Sequence, residues 1–222
     1  MLNAIFWDND GVLVDTEMLY FQANRDTLKT IGIELSIDQF CTISLDQGQS
    51  VINLARYKGY NDNQLSNLRK MRNNQYLRLL KRGVRIMPGV EDTLRQLHGR
   101  VAMGIVTSAS KASFDVIHRQ TGLLPFFNLI LTREDYSHSK PDPAPYLLAL
   151  EHSGLKSGNC LAIEDTMRGL ESAKAAGISC VIVTHAYNTQ QHFPGAFKVI
   201  KEITELVPLV DTCSVKCSSK SS

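Results

Sequence analysis

The stretch AIFWDNDG, residues 4–11, decides the fold. It opens with four apolar residues, which predict a short strand buried on both faces of a sheet. Asp8 and Asp10 follow directly, two residues apart, so in extended chain their side chains point to the same side. Gly11 then allows the backbone to turn away without steric penalty. The stretch therefore predicts a buried strand that delivers two carboxylates to its end.

Short apolar runs of the same kind recur further along the chain, at residues 101–107, 129–131, 160–163 and 180–183. Helical patterns lie between them, with apolar residues at helical spacing and glycine near the last turn. This alternation of strand and helix is typical of an α/β protein. We therefore expect a doubly wound parallel sheet with helices on both faces.

One region, residues 16–83, breaks the alternation because it contains no convincing strand pattern. Its apolar residues fall at helical spacing over residues 17–31, 49–57 and 62–81. We expect an all-helical insertion, residues 16–83, placed after the first strand and sitting over the sheet. The α/β domain would then consist of residues 1–15 and 84–210, and the Ser/Lys-rich tail, residues 211–222, is predicted to be disordered.

The composition of the chain excludes several classes of protein. Its 222 residues are 43% hydrophobic and 21% charged, as in ordinary globular proteins. The 24 Lys and Arg against 22 Asp and Glu give a net charge of +2. This charge is too small to indicate binding to nucleic acid or to an anionic membrane surface. We therefore expect a small-molecule partner, with no nucleic-acid or membrane partner.

Targeting signals and cysteines give an expectation about location. There is no signal-peptide pattern at the N-terminus and no apolar run of the roughly 20 residues that a membrane helix needs. The five cysteines are odd in number and scattered, which fits a reduced chain. Cys213 and Cys217 have no second pair and no neighbouring histidine, so they indicate a tail with two thiols rather than a zinc site. We expect a cytoplasmic monomer.

The ends of the predicted strands carry further polar residues, and ligands of open α/β sheets bind at the carboxyl ends of the strands. Thr107 and Ser108 follow the second apolar run and suit either a small anion cradle or a helix cap. Lys140 precedes a proline and is either a fixed positive charge or a solvated surface lysine. Glu164 and Asp165 end the fourth run, where they suit metal ligation or, for Asp165, a helix N-cap.

Taken together, these residue types are what phosphoryl transfer requires. The reaction uses a nucleophile in line, a proton donor for the leaving oxygen, and positive charge against the phosphoryl oxygens. Two close carboxylates such as Asp8 and Asp10 also suit a hard cation such as Mg²⁺, although an acidic turn without a role has the same sequence. The chain lacks the P-loop, GxSxG, HExxH and strand-linked GxGxxG motifs. The sequence therefore argues against a P-loop nucleotide-binding protein and against a serine hydrolase, because it lacks the motifs that these classes require.

Four motifs carry a resemblance to a known family: DNDGVLVDTE at residues 8–17, VTS at 106–108, KPDP at 140–143 and IEDT at 163–166. In order and spacing the chain resembles the haloacid dehalogenase superfamily, in the branch that includes β-phosphoglucomutase-like sugar phosphatases. The resemblance covers nearly the whole chain apart from the tail. It implies a Rossmann-like core with a helical cap inserted after the first motif.

The resemblance also implies roles for the acidic residues. Asp8 would be the nucleophile that forms an aspartyl-phosphate, and Asp10 would protonate the leaving alkoxide and then activate water. Mg²⁺ would be held by Asp8, the backbone carbonyl of Asp10 and Asp165. Glu164 would ligate the ion or support its site.

The remaining motif residues would bind phosphate. The resemblance implies that Thr107, the backbone amide of Ser108 and Lys140 contact the phosphoryl oxygens. Two departures from the family pattern are mild. Asn9 occupies a position that is more often apolar, and Thr166 stands where serine is usual. Neither removes a functional group that the mechanism needs.

These residues predict a Mg²⁺-dependent phosphatase of a small phosphorylated metabolite, with a sugar phosphate as the expected substrate. A sugar phosphomutase of the β-phosphoglucomutase type is the alternative, because it shares the catalytic core. Such a mutase uses a histidine early in the cap, where this chain has Tyr20, and the first histidine in the sequence is His98. A phenol is a poor replacement for an imidazole in proton transfer at neutral pH, which favours hydrolysis.

Two further classes fit the sequence less well. A catalytically silent binding protein of the same fold would have no need of Asp8 or Asp10. A dehalogenase acting on carbon would share the nucleophile but would not need Asp10 or the metal-binding acids. In the cap, Arg56, Lys58 and Arg72 could contact a second anionic group, but the sequence favours solvated surface charges.

Overall fold

The computed structural model describes residues 1–188 and 192–215. The chain folds into two compact units, one built from residues 1–15 together with the chain from residue 85 onward, and the other from residues 16–84. We call them the sheet unit and the helical unit. Within the described residues, no helix combines the length and the apolar character needed to cross a membrane.

The sheet unit is organised around parallel strands. The strands of the described chain are β1 (Ala4–Trp7), β2 (Val14–Asp15), β3 (Arg85–Ile86), β4 (Ala102–Val106), β5 (Leu129–Leu131), β6 (Cys160–Glu164), β7 (Ser179–Val183) and β8 (Lys198–Ile200). Six of these described strands form one sheet in the order β5-β4-β1-β6-β7-β8, with every neighbouring pair parallel. The first strand of the chain therefore lies in the middle of the sheet.

Burial explains why β1 takes this central place. All four of its residues are at most 2% exposed, so both faces of the strand are covered. Phe6 packs in one core with Tyr146 and Leu170, which come from helices that follow later strands. An uninterrupted apolar strand is stable only where helices cover both sides of it. The predicted α/β class is confirmed.

Helices connect the strands of the sheet unit. They are α4 (Val90–Leu97), α5 (Lys111–Thr121), α6 (Ala144–Ser153), α7 (Met167–Ala175) and α8 (Leu206–Val215). Helix α5 begins after Ser110, whose side chain accepts a hydrogen bond from the Ser113 backbone N–H, and ends at Gly122 in the left-handed conformation. Helix α7 begins after Thr166, which caps it in the same way through Gly169. Local capping chemistry therefore fixes where these helices start.

The helical unit contains α1 (Glu17–Lys29), α2 (Ile37–Phe40), a π-helical turn (Cys41–Asp46), a 3₁₀ segment (Val51–Lys58) and α3 (Asp62–Leu80), and none of its residues forms a strand. Its core packs Phe21, Leu28, Phe40, Ile52 and Leu65 against one another. The inserted all-helical unit that the sequence predicts is confirmed. Its middle part differs in detail, because α2 and the π-helical turn lie where the sequence showed no clear period.

A short antiparallel pair, β2 with β3, marks the two ends of the insertion. Asp15 lies opposite Arg85 in this pair, and their side chains form an exposed ion pair with Arg85 Nη2 2.8 Å from Asp15 Oδ2. The pair belongs to the sheet unit. Strands of two residues carry too little pattern to be recognised in the sequence.

The C-terminal region extends the fold beyond the sequence expectation. Strand β8 adds a sixth strand at the edge of the sheet, and its first two residues are exposed. Helix α8 runs to Val215, into the segment 211–222 that the sequence predicts to be disordered. It is held there by Leu206 and Val210, which are at most 1% exposed. The rest of that segment, including Cys217, lies outside the described residues.

Candidate active site

Three neighbouring strands bring the predicted site residues to one edge of the sheet. Strand β1 lies between β4 and β6 and is parallel to both. Its end is tied to β6 by the Asp8 backbone N–H, which donates to the Ile163 carbonyl oxygen at 2.9 Å. Because parallel strands end at the same edge, Asp8, Thr107 and Glu164 emerge together.

Asp8 is held by a lysine. Its side chain is 13% exposed, and Oδ1 lies 2.9 Å from Lys140 Nζ. The same Nζ lies 2.6 Å from Glu164 Oε1 and donates to the Val106 carbonyl oxygen at 2.8 Å. The ammonium group is therefore fixed by three oxygen partners from three strand ends.

Lys140 is a buried charge and not a solvated surface lysine, since its side chain is 4% exposed. Burial alone would lower the pKa of Lys140, but the charges of Asp8 and Glu164 outweigh that effect and raise it above its ordinary value. Its loop is anchored by Arg168, which donates to the Lys140 carbonyl oxygen. The lysine is therefore charged at neutral pH and fixed in place.

Glu164 and Asp165 are both buried, with 0% and 2% exposure. Tyr146 donates its hydroxyl to Glu164 Oε1. Burial, followed by the negative charge of Asp8, raises the pKa of Glu164. Burial likewise raises the pKa of Asp165, partly offset by its hydrogen bond to His185.

The acids fit a cation. Asp8, Glu164 and Asp165 offer carboxylate oxygens that all lie within 4.8 Å of one another. Glu164 Oε2 and Asp165 Oδ1 are buried and have no hydrogen-bond partner within the described part of the chain. Buried carboxylate oxygens without a donor are costly unless a positive charge meets them. An all-oxygen donor set is what Mg²⁺ prefers, so these residues fit that ion.

Two glycines make room for the acids. Gly11 has φ +76°, and a Cβ built there would overlap Asp165 Oδ2. A Cβ at Gly169, in the first turn of α7, would overlap the carboxylate of Glu164. A side chain at either position would therefore force the neighbouring carboxylate to shift.

The Thr107–Ser108 turn lies at the end of β4. Thr107 is 1% exposed, and its Oγ1 accepts from the Ala109 backbone N–H at 3.0 Å, which leaves the hydroxyl hydrogen available to another acceptor. Its carbonyl oxygen accepts from the Tyr136 hydroxyl at 2.7 Å. Ser108 is exposed. The hydrogen bonds of Thr107 therefore fix the turn, while Ser108 is exposed to solvent.

Asp10 lies in the loop that follows β1 and is partly exposed. Asn9 Nδ2 donates to Asp10 Oδ2 at 3.2 Å. The loop is closed by backbone bonds from Leu13 and Val14 to the Asn9 carbonyl oxygen, at 2.8 and 3.1 Å. The structure therefore brings Asp8, Lys140, Glu164 and Asp165 into direct contact or close approach, with Asp10 beside them in sequence.

Sequence reasoning missed two residues that hold Asp165. His185 Nε2 lies 2.9 Å from Asp165 Oδ2, and Asn188 donates through Nδ2 to the Asp165 carbonyl oxygen at 2.7 Å. Asn188 Oδ1 also accepts from the His185 backbone N–H at 2.7 Å. Both follow β7, which ends at Val183. The rule applied to the other strand ends, extended to this one, would have found His185.

In the helical unit, the prediction that Arg72 is a solvated charge is wrong. Arg72 is 8% exposed and donates through Nη1 to the Tyr20 hydroxyl and to Asn24 Oδ1, and through Nε to Asn73 Oδ1. Among the described residues, no carboxylate forms an ion pair with Arg72. The helical spacing of the sequence already placed Arg72 on the buried side of α3. The prediction of a solvated side chain followed instead from its charge, because charged residues are mostly exposed.

Arg56 and Lys58 are exposed, as predicted. Arg56 pairs with Asp62, and Lys58 donates to the carbonyl oxygens of Ile31 and Gly32 at 3.0 and 2.8 Å. Both contacts lie within the helical unit and fasten its loops.

Comparison with known proteins gives relatives that span nearly the whole chain. Protein CbbY of Rhodobacter capsulatus is 29% identical, over 88% of this chain and 91% of its own. The phosphorylated carbohydrates phosphatase of Thermotoga maritima is 28% identical, over 84% of this chain and 88% of its own. The crystal structure of CbbY from Rhodobacter sphaeroides in complex with phosphate has a TM-score of 0.78 at 23% identity, covering 93% and 96% of the two chains. The last likeness concerns the fold.

The sequence model of the haloacid dehalogenase-like hydrolases matches residues 5–183, from β1 to the end of β7. That span contains all four motifs and the whole helical insertion. The predicted resemblance is confirmed: the chain belongs to the haloacid dehalogenase-like hydrolase family and is a hydrolase.

Proposed function

We propose that the chain is a Mg²⁺-dependent phosphatase that hydrolyses a small phosphorylated metabolite, of the sugar phosphate class, through an aspartyl-phosphate on Asp8. The observation that carries the proposal is the cluster around Asp8. One partly exposed carboxylate is gripped by a buried lysine and faces two buried acids. A nucleophile, a fixed positive charge and a cation-binding pair of acids are the parts of phosphoryl transfer.

Asp8 is the nucleophile because it is the accessible acid of the cluster. Its free oxygen forms a bond to phosphorus while the bond from phosphorus to the leaving alkoxide oxygen breaks. Lys140 holds the other oxygen at 2.9 Å, which fixes the direction of attack. Glu164 and Asp165 are too deeply buried to reach a substrate.

Asp10 moves the protons. It donates one to the leaving alkoxide oxygen in the first step. In the second step a water attacks phosphorus, Asp10 takes the proton of that water, and Asp8 is released together with inorganic phosphate. The two steps therefore use the same carboxyl group as acid and then as base.

The phosphoryl oxygens are bound by Lys140, the Thr107 hydroxyl and the Ser108 backbone amide. Thr107 keeps a donor hydrogen because its oxygen already accepts from Ala109. Ser108 is exposed at the sheet edge, where an incoming phosphoryl group arrives. Fixed donors of this kind stabilise charge that develops in the transition state without reorganising.

Mg²⁺ would be held by Asp8, the backbone carbonyl of Asp10 and Asp165, with Glu164 ligating or supporting the site. When bound, the ion supplies positive charge to the phosphoryl oxygens. The orphaned oxygens of Glu164 and Asp165 support this assignment. His185 and Asn188 hold Asp165 in position from its other side.

The names of the relatives support a carbohydrate substrate. The Thermotoga maritima relative is a phosphatase of phosphorylated carbohydrates, and the CbbY structure is in complex with phosphate. Residues 16–84 contain no histidine, and Tyr20 accepts a hydrogen bond from Arg72. Both facts favour hydrolysis over a mutase that needs an imidazole near the sugar hydroxyl.

Asp8→Asn tests the proposal. With an aryl phosphate as substrate, we expect the variant to lose at least about 10³-fold in kcat, because an amide cannot form the covalent intermediate. Asp15→Asn is the matched control, since Asp15 sits outside the cluster in β2 and should keep full activity. Turnover retained in Asp8→Asn would reject the nucleophile.

The cofactor and the reaction type need two further assays. Activity should stop in EDTA and return with Mg²⁺, and indifference to chelation would reject the metal. A screen of phosphorylated metabolites scored for free phosphate should run beside an assay for conversion of hexose 1-phosphate to hexose 6-phosphate. Isomerisation faster than phosphate release would replace the phosphatase with the mutase.

A further inference from the structure

A chain of hydrogen bonds runs from Thr121 through two buried side chains, His118 and Asn9, to Asp10. Asn9 is 0% exposed and His118, on α5, is 4% exposed. Asn9 Nδ2 lies 3.2 Å from Asp10 Oδ2, Asn9 Oδ1 lies 2.8 Å from His118 Nε2, and His118 Nδ1 lies 3.0 Å from Thr121 Oγ1. Asn9, His118 and Thr121 have no role in the proposed mechanism.

The direction of each hydrogen bond in this chain is determined by chemistry. Thr121 Oγ1 accepts from the Leu123 backbone N–H at 3.4 Å, so its own hydrogen is free to point at His118 Nδ1. An imidazole that accepts at Nδ1 carries its hydrogen on Nε2 and donates it to Asn9 Oδ1. The Asn9 amide nitrogen then faces Asp10. The reverse amide orientation would place Asn9 Oδ1 against a carboxylate and its NH₂ group against an N–H donor.

The ring of His118 is neutral, as this arrangement requires. Burial lowers the pKa of His118 to about 4, with a small opposing effect from Asp115. His118 is also packed against Phe114, with ring centroids 4.3 Å apart, so the ring cannot rotate freely. Asn9 is fixed as well, because its carbonyl oxygen accepts from Leu13 and Val14.

We propose that Asn9 and His118 are positioning residues that hold the Asp10 carboxyl group in the orientation from which it gives its proton to the leaving oxygen. This inference rests on the proposed phosphatase function. Asp10 is partly exposed on a loop and has two rotatable side-chain bonds. A donor that is itself fixed at its backbone and at its side chain restricts that rotation. Without the Asn9 donor, Asp10 would spend less time aligned with the leaving oxygen.

Asn9→Leu removes the amide donor while keeping a side chain of similar size. The test compares kcat/KM for two substrates, an alkyl phosphate that the wild type accepts and 2,4-dinitrophenyl phosphate. The alkoxide needs a proton to leave, whereas the dinitrophenolate does not. We expect kcat/KM to fall about 10- to 100-fold for the alkyl phosphate and less than about 3-fold for the dinitrophenyl ester. Equal losses on both substrates would show a merely structural role and overturn the inference.

His118→Gln tests the next link in the chain. We expect the same selective loss, smaller than for Asn9→Leu, because Asn9 keeps its own contact with Asp10. His152→Gln is the matched control, since His152 is an exposed histidine of α6, and its substrate ratio should equal that of the wild type. A ratio unchanged in both Asn9→Leu and His118→Gln would reject the inference.

A measurement on the wild type covers the case in which the variants do not fold. In ¹⁵N-labelled protein at pH 7, the imidazole shifts of His118 should report a neutral ring protonated on Nε2. An Nδ1–H tautomer or an imidazolium would overturn the hydrogen-bond direction and the inference with it. A wild type that hydrolyses neither phosphate ester would instead reject the proposed function, so the two failures are distinguishable.

Discussion

Among the described residues, each of the two units buries one lysine or arginine side chain, and the two side chains have different partners. In the sheet unit, Lys140 contacts the carboxylates of Asp8 and Glu164. In the helical unit, the hydrogen-bond partners of Arg72 among the described residues are neutral: the hydroxyl of Tyr20 and the side-chain amides of Asn24 and Asn73. The first cation belongs to a cluster of opposite charges, and the second to a set of hydrogen-bond acceptors.

The difference indicates different roles. Lys140 offsets the charges of Asp8 and Glu164, which would otherwise repel one another, so the cluster depends on it. Arg72 lies on α3, whereas Tyr20 and Asn24 lie on α1, so its bonds join the two longest helices of the helical unit. A guanidinium suits that task because its several donors point in fixed directions. The lysine is therefore an electrostatic requirement of its cluster, and the arginine is a cross-link between two helices.

The largest expected effect comes from removing each cation in turn. Lys140→Met leaves the carboxylates of Asp8 and Glu164 without their counter-charge, and we expect a loss of about 3–5 kcal/mol in the free energy of unfolding. Arg72→Met leaves neutral acceptors unpaired, and we expect a loss of about 1–3 kcal/mol. Urea unfolding at pH 7 measures both.

The pH dependence of Lys140→Met sharpens the same contrast. Without the lysine, the pKa of Glu164 lies further above its ordinary value, because burial and Asp8 both raise it. With the lysine present the pKa of Glu164 is already about 8, so only above that pH does the folded variant hold a proton that the wild type has released. The stability of the variant relative to wild type should therefore rise as pH falls from about 10 to about 8. Arg72→Met should show no such gain relative to wild type. Equal losses and equal pH profiles would break the comparison.

His118 is a further buried side chain that can carry a positive charge, and it can be compared with Lys140 and Arg72. Its partners are neutral, like those of Arg72, and burial lowers its pKa to about 4 from an ordinary value of 6.5. The unfolded chain therefore binds more protons between these values, so this contribution to stability is complete above pH 6.5 and is lost as pH falls towards 4. We expect a loss of about 2 kcal/mol between pH 7 and 5.

His118→Gln isolates that contribution, since glutamine cannot titrate. Unfolding free energies of wild type and variant are compared at both pH values. The wild type should lose about 2 kcal/mol more than the variant on acidification. Parallel curves would mean that the folded and unfolded chains bind the His118 proton equally well.

The smallest effect is expected at the exposed pair of Arg85 and Asp15. Arg85 is 86% exposed at its side chain, so water screens the interaction. Arg85→Ala should change the free energy of unfolding by less than about 1 kcal/mol, and 0.5 M salt should remove that difference. A loss as large as that of Arg72→Met would mean that ion pairing and not burial sets these energies.

Much of the fold could be predicted because the decisive strands are short, apolar and buried. The bounds of β1 and β5 agree with the sequence pattern to the residue. Strand β8 could not be found in this way, because two of its three residues are exposed at the sheet edge. The C-terminal end of helix α8 was not predicted, because the Ser/Lys-rich composition that follows Val215 led to an expectation of disorder for the whole tail.

The candidate site was predictable where residues follow strands in sequence, as Asp8, Glu164 and Asp165 do. Lys140 was ambiguous until the structure gave its burial, because a surface lysine and a buried one look alike in sequence. The partnership of Asn9 with His118 could not be predicted, because the two residues are 109 positions apart and the contact depends on how α5 packs. Tertiary contacts of this kind have no local signature.

The pairing of Asp15 with Arg85 has a consequence for the architecture as a whole. The chain leaves the sheet unit and returns to it at one point, so for the sheet unit the helical insertion is a closed loop. The entropy of closing a loop grows only with the logarithm of its length, and each doubling costs about 0.6 kcal/mol. The stability of the sheet unit is therefore nearly independent of how much chain is inserted there. Such a joint lets the helical unit vary in length and sequence at little cost to the sheet unit.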